Sequence, residues 1–114
     1  MLPIARPLTD AQGSANRIAG LVLELEENPF ATLALTTIAV RELGGRVQGW
    51  VIAHLADGRR ERFTIDDARL AAAAVRDAAG AVRQLGGWAE SLDAAAEAAA
   101  RQASAILLGL GTGR

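Results

Sequence analysis

The chain has 114 residues, a mass of 11.8 kDa and a formal net charge of -1. That is enough chain for one core and too little for two, and a hydrophobic content of 51% argues against intrinsic disorder. Cys is absent and all 12 basic residues are Arg, which excludes disulfides, thiolate chemistry, Schiff-base lysines and Cys-ligated metal sites.

A pI near 5.8 argues against a general nucleic-acid binder, which carries a basic excess to displace counterions from phosphates. The opening MLPIARPLTD has two prolines and an acid where a secretory signal has its apolar region. The longest apolar runs, Ala31–Val40 and Ala103–Leu110, fall short of the roughly 20 residues that cross a bilayer. The expectation is a soluble protein, cytoplasmic or in a virion, without a membrane partner.

Residues 1–9 read as an extended lead-in, because Pro3 and Pro7 disfavour helix. T9-D-A-Q12 matches a capping box. Ala11, Ala15, Ile18, Val22 and Leu25 follow at helical spacing, which predicts a helix over 10–27 that Asn28-Pro29 ends. Residues 31–65 then read as a three-stranded antiparallel meander. Its runs are Thr32–Leu43, Arg46–Leu55 and Arg59–Ile65, separated by Gly44-Gly45 and by Ala56-Asp57-Gly58. A helix over 31–43 is the alternative, since polar alternation there is not clean. The middle run places Val47, Val51, Ala53 and Leu55 on one face and Gln48, Trp50, Ile52 and His54 on the other. The third places Phe63 and Ile65 opposite Arg60, Arg62 and Thr64.

Residues 66–108 read as an αα-hairpin. Asp66 is the expected N-cap of its first helix, Ile65 and Leu70 its hydrophobic staple, and Leu70, Ala74, Ala78, Val82 and Leu85 its apolar stripe. Arg69, Arg76 and Arg83 recur on another face. Gly86-Gly87 is the expected break. The last helix is expected from Trp88 to Leu108, with Leu92, Ala95, Ala96, Ala99, Ala103 and Ile106 on one stripe and Glu90, Glu97 and Arg101 opposed to it. Residues 109–114 are left as a tail. The fold class is α+β, in one domain: N-terminal helix, β-meander, Ala-rich helical hairpin.

The chemical inventory is thin. His54 is the one side chain that ordinarily titrates near neutrality. A triad assembled from Ser14, Ser91 or Ser104 with His54 and Asp57 has no nucleophile-elbow motif behind it. Asp66-Asp67 suits a helix N-terminus better than acid–base work. No metal-ligand spacing occurs, and G109-L-G-T-G113 does not link a strand to a helix. No catalytic, cofactor-binding or metal residue is assigned, and no cofactor is implied.

Two interaction surfaces are candidates. Trp50, Ile52 and His54, with the apolar tail residues Ile106, Leu107, Leu108 and Leu110, form a candidate interface. Arg59, Arg60 and Arg62 form a candidate anion contact. The expectation is a non-enzymatic protein–protein interaction or assembly module. It would act on itself or on other protein subunits, in a homo-oligomer or a larger complex such as a bacteriophage virion. In that setting the lead-in around Pro3 and Pro7 and the apolar tail would be arms docking on adjacent subunits. The alternative is a regulatory module that binds an anionic partner or nucleic acid through the Arg-rich hairpin.

Overall fold

The β-branched run that begins at Thr32 is strand, not helix. The computed structural model describes residues 6–28, 32–80 and 85–111, with side chains from 13 to 109. Strands β1 (Leu33–Leu43), β2 (Arg46–Leu55) and β3 (Arg60–Thr64) form one antiparallel sheet in the order β1-β2-β3. Gly44 and Gly45, at φ 64 and 82, make a two-residue turn that only positive-φ residues close without strain. The Glu42 carboxylate accepts the Gly45 N–H at 2.8 Å and steadies it. The second hairpin closes through Leu55 N–H to Arg59 C=O at 2.8 Å, around Ala56-Asp57-Gly58. The register shifts between Leu33 and Leu35. Leu33 therefore packs on the core, while Leu35 faces away and is 51% exposed.

Helices α1 (Arg6–Glu27), α2 (Ile65–Ala78) and α3 (Leu85–Gly111) complete the architecture. All three contribute to one core on a single face of the sheet. Val51, Ala53, Leu55 and Phe63 meet Ala68, Ala72 and Val75 of α2, Leu85, Trp88, Leu92 and Ala96 of α3, and Ile18, Leu21 and Leu25 of α1. Alanine supplies much of the buried surface on α2 and α3, so the helices sit close. Gly49 of β2 is part of that fit: a Cβ there would lie 2.7 Å from the Ile65 Cδ1 and 3.6 Å from the Ala99 Cβ. The fold thus matches the α+β order read from the sequence, and Val51, Ala53 and Leu55 are the inward residues of β2.

Several boundaries move. Helix α1 starts at Arg6, four residues before the expected start, so Thr9 lies inside it and does not cap it. Pro7 falls in the first turn, where its missing N–H costs no helical bond. The remaining lead-in, including Pro3, lies outside the described residues. The buried stripe of α1 is Ile18, Leu21 and Leu25, with Val22 half-buried and Ala15 exposed. Helix α2 is capped by Thr64 and not by Asp66: the Thr64 Oγ1 accepts the Asp67 N–H at 3.1 Å. That shift makes Phe63 and Ala68, both fully buried, the staple pair. It also turns Leu70 outward, 57% exposed, while Ala68, Ala71, Ala72 and Val75 face the core. Helix α2 stops at Ala78, with the break at Ala79-Gly80. Gly86 and Gly87 instead lie in the first turn of α3, where the amides have no intrahelical acceptor to lose. Leu85 is a buried residue of α3 and Val82 lies outside the described residues. Positions 109–111 are helix, not tail; 112–114 lie outside the described residues.

Candidate interaction site on the open face of the sheet

With α1, α2 and α3 on one side, no described element covers the other side of the sheet. The strand alternation and the register decide what lies there. Leu35, His54 and Arg60 share one row; Thr37, Ile52 and Arg62 the next; then Ala39, Trp50 and Thr64; then Arg41 and Gln48; then Leu43 and Arg46. Four of these side chains are Arg and none is a carboxylate, because Glu42 and Glu61 have the opposite parity. Elsewhere among the described side chains, carboxylates outnumber Arg. The charge is segregated, although the total is near zero.

Trp50 organises this face. It is half-buried, with Arg41 of β1 on one side and Arg62 of β3 on the other. Their guanidinium carbons lie 5.8 and 5.9 Å from the ring. Each contact of this kind at an exposed site contributes about 0.5–1 kcal/mol. A shallow concavity of about 610 Å3 lies here, lined by Ala39, Val40, Arg41, Gln48, Trp50, Ile52 and Arg62. His54 is half-buried in the same face, and its Nε2 is 2.9 Å from the Thr37 Oγ1. The serines lie elsewhere: Ser14 Oγ donates to the Asp67 carboxylate at 3.1 Å, and Ser91 Oγ meets Thr36 Oγ1 at 3.0 Å under α3. Among the described residues no three carboxylates or imidazoles gather at one point, and no helix is long and apolar enough to cross a membrane.

The two candidate surfaces of the sequence are redistributed. Trp50, Ile52 and His54 stay together on the open face. Ile106, Leu107 and Leu108 lie on α3, across the sheet from them, with Ile106 half-buried and Leu107 and Leu108 exposed. The side chain of Leu110 lies outside the described residues. These are two separate surfaces, not one.

The Arg triad is also split. Arg60 and Arg62 point to the open face, but Arg59 belongs to the second hairpin's turn. Its guanidinium pairs with Glu24 of α1 at 2.5 Å and with Asp57 at 2.9 Å. Those hydrogen bonds, the Glu24 one foremost, push the Arg59 pKa above its ordinary value. The Arg59 backbone N–H donates to the Asp57 carboxylate at 3.0 Å, and this is the main reason that carboxyl is held below the usual range. Arg59 is therefore a structural cross-link from the turn to α1. Of the heptad-spaced arginines, Arg76 pairs with Asp93 of α3 and Arg69 with Asp66, while Arg83 lies outside the described residues.

Sequence reading missed Arg41 and Arg46 as partners of Arg60 and Arg62. Their alternation parity was visible, but which strand lies beside which was needed to assemble the four. Neither a family model, a curated protein nor a solved structure matches the chain.

Proposed function

We propose that the protein is a non-enzymatic interaction module whose docking surface is the open face of the sheet. The observation that carries this reading is the half-buried Trp50 between Arg41 and Arg62, on a face with four Arg and no carboxylate. The occupant is a polypeptide segment of another protein, bearing carboxylates on either side of an apolar side chain. The apolar group covers Trp50 and Ile52; the carboxylates meet the guanidinium forks. A second copy docked through this same face would set Arg against Arg and is disfavoured.

Nucleic acid fits less well. Among the described residues Trp50 is the one Phe, Tyr or Trp on the face, and single-strand binding relies on successive stacking platforms. The acidic remainder of the surface would also repel a polyanion.

The test is a titration of the full, isotope-labelled chain with a short peptide of glutamates around one Leu or Phe, followed by amide shifts. Shifts confined to Ala39, Arg41, Trp50, Ile52 and Arg62, weakened by salt and lost in Arg41→Gln/Arg62→Gln, are expected. Shifts elsewhere, or none, would remove the reading. A response to an oligothymidylate but not to the peptide would replace it with the nucleic-acid alternative.

A further inference from the structure

The two edges of the sheet are treated differently. The β3 edge is five residues long and carries Arg60, Glu61 and Arg62. Arg17 of α1 donates to the Arg62 backbone carbonyl at 2.6 Å and closes that edge. Short length, charge and a covering element are the ways in which sheets block strand addition.

The β1 edge differs: among the described residues no element covers it, and its charges, Arg41 and Glu42, lie only at the end next to the turn. It is 11 residues long, and its first eight residues, Leu33–Val40, are uncharged and contain neither Pro nor Gly. Leu43 and Arg46 close the two-residue turn. The alternation of the ladder then directs the N–H and C=O of Thr36, Ile38, Val40 and Glu42 away from β2. Among the described residues nothing bonds those groups. Helix α3 runs alongside β1, with Ser91 beside Thr36. Its Asp93 side faces α2 through Arg76; the positions half a turn away, Ser91, Ala98 and Gln102, are uncharged, which leaves room for a close neighbour.

We infer that β1 pairs antiparallel with β1 of a second copy, about a two-fold axis at Ile38, to give a continuous six-stranded sheet. Residues 35 to 41 are centred on Ile38 and lie beyond the register shift at Leu33/Leu35, so this register pairs an unbroken stretch of strand. Arg41 then lies opposite Leu35 of the second copy, and Glu42 opposite Ala34. No like charges meet, and the 51% exposed Leu35 is covered by the Arg41 stem. The axis is perpendicular to the sheet, so both open faces point the same way. This inference is independent of what docks on that face.

The experiment is the solution mass of the full chain without any peptide, together with a register-specific cross-link. A mass of two chains is expected. In this register residues 37 and 39 of the two copies form non-hydrogen-bonded pairs, whose Cα separation of about 4.5 Å suits a disulfide. A Thr37→Cys/Ala39→Cys double variant should oxidise to a covalent dimer, and each single variant should not. Val40→Pro removes an outward N–H and should give a one-chain mass with unchanged circular dichroism. Thr37→Lys/Ala39→Lys, which opposes Lys to Lys across the axis, should do the same if the proline variant does not fold. A one-chain mass for the unmodified chain at every concentration would overturn the inference. So would a two-chain mass that survives both blocking variants.

Discussion

The two faces of this sheet are made from the same three strands and obey different rules. On the inner face Val51, Ala53 and Phe63 are fully buried, and Gly49 is there because Ile65 and Ala99 leave no space for a side chain. On the open face Trp50, Ile52 and His54 are only half-buried, and their neighbours are guanidinium groups. One face stores stability and the other displays chemistry. A single step of two-residue alternation separates them. A residue's neighbour in sequence therefore tells little about its role here, whereas its neighbour at i+2 tells a great deal.

Substitutions sharpen this contrast, and their expected sizes differ. Phe63→Ala should be the most damaging, costing about 3–5 kcal/mol in urea unfolding, because it opens a cavity and removes the ring under Arg17. Trp50→Ala removes a ring of similar bulk from the open face and should cost far less, while abolishing the peptide response. Equal losses of stability from the two would break the contrast. Gly49→Ala should cost about 1–3 kcal/mol, since the new Cβ must displace the Ile65 side chain. Thr64→Ala removes the cap of α2 and should cost about 1 kcal/mol, measured the same way. Asp66→Ala, which removes only a first-turn charge, should cost less.

The smallest effect concerns acid. The folded protein holds the Asp57 carboxyl below its unfolded value of 3.8. Its contribution to stability is therefore complete above that value and is lost as the pH falls through the lower, folded one. The full chain should lose stability slightly more steeply below about pH 4 than Asp57→Asn does. Identical acid limbs for the two would show that the turn contact adds nothing. Protonation of Asp57 removes the contact within the turn and leaves the Arg59–Glu24 pair that joins the turn to α1.

Much of this was legible in the chain itself. Gly44-Gly45 and Ala56-Asp57-Gly58 announced the hairpins because such turns have steric requirements that few residues meet. Alternation in β2 then separated Val51, Ala53 and Leu55 from Trp50, Ile52 and His54. The misreadings are equally physical. Leu70 suggested the buried stripe of α2 because it is the largest apolar residue there, yet the Thr64 cap fixed a phase that buries Ala68 and Ala72 instead. Gly86-Gly87 suggested a break, but at a helix start a glycine forfeits little. Arg59 looked like its neighbours Arg60 and Arg62 until the turn carried it to Glu24.

The sequence by itself determined the hairpin turns, the two faces of the central strand and the order of elements apart from residues 31–43, open there between strand and helix, because turn sterics and side-chain alternation are local. Only the tertiary structure decided that all three helices share one face, and hence that the other is open. It alone assembled Arg41, Arg46, Arg60 and Arg62 into one surface, and it alone distinguished the β3 edge, which Arg17 reaches, from the β1 edge, which no described residue covers. Those outcomes depend on which strands lie side by side and where Arg17 reaches, and contacts that far apart in the chain leave no periodic mark on it.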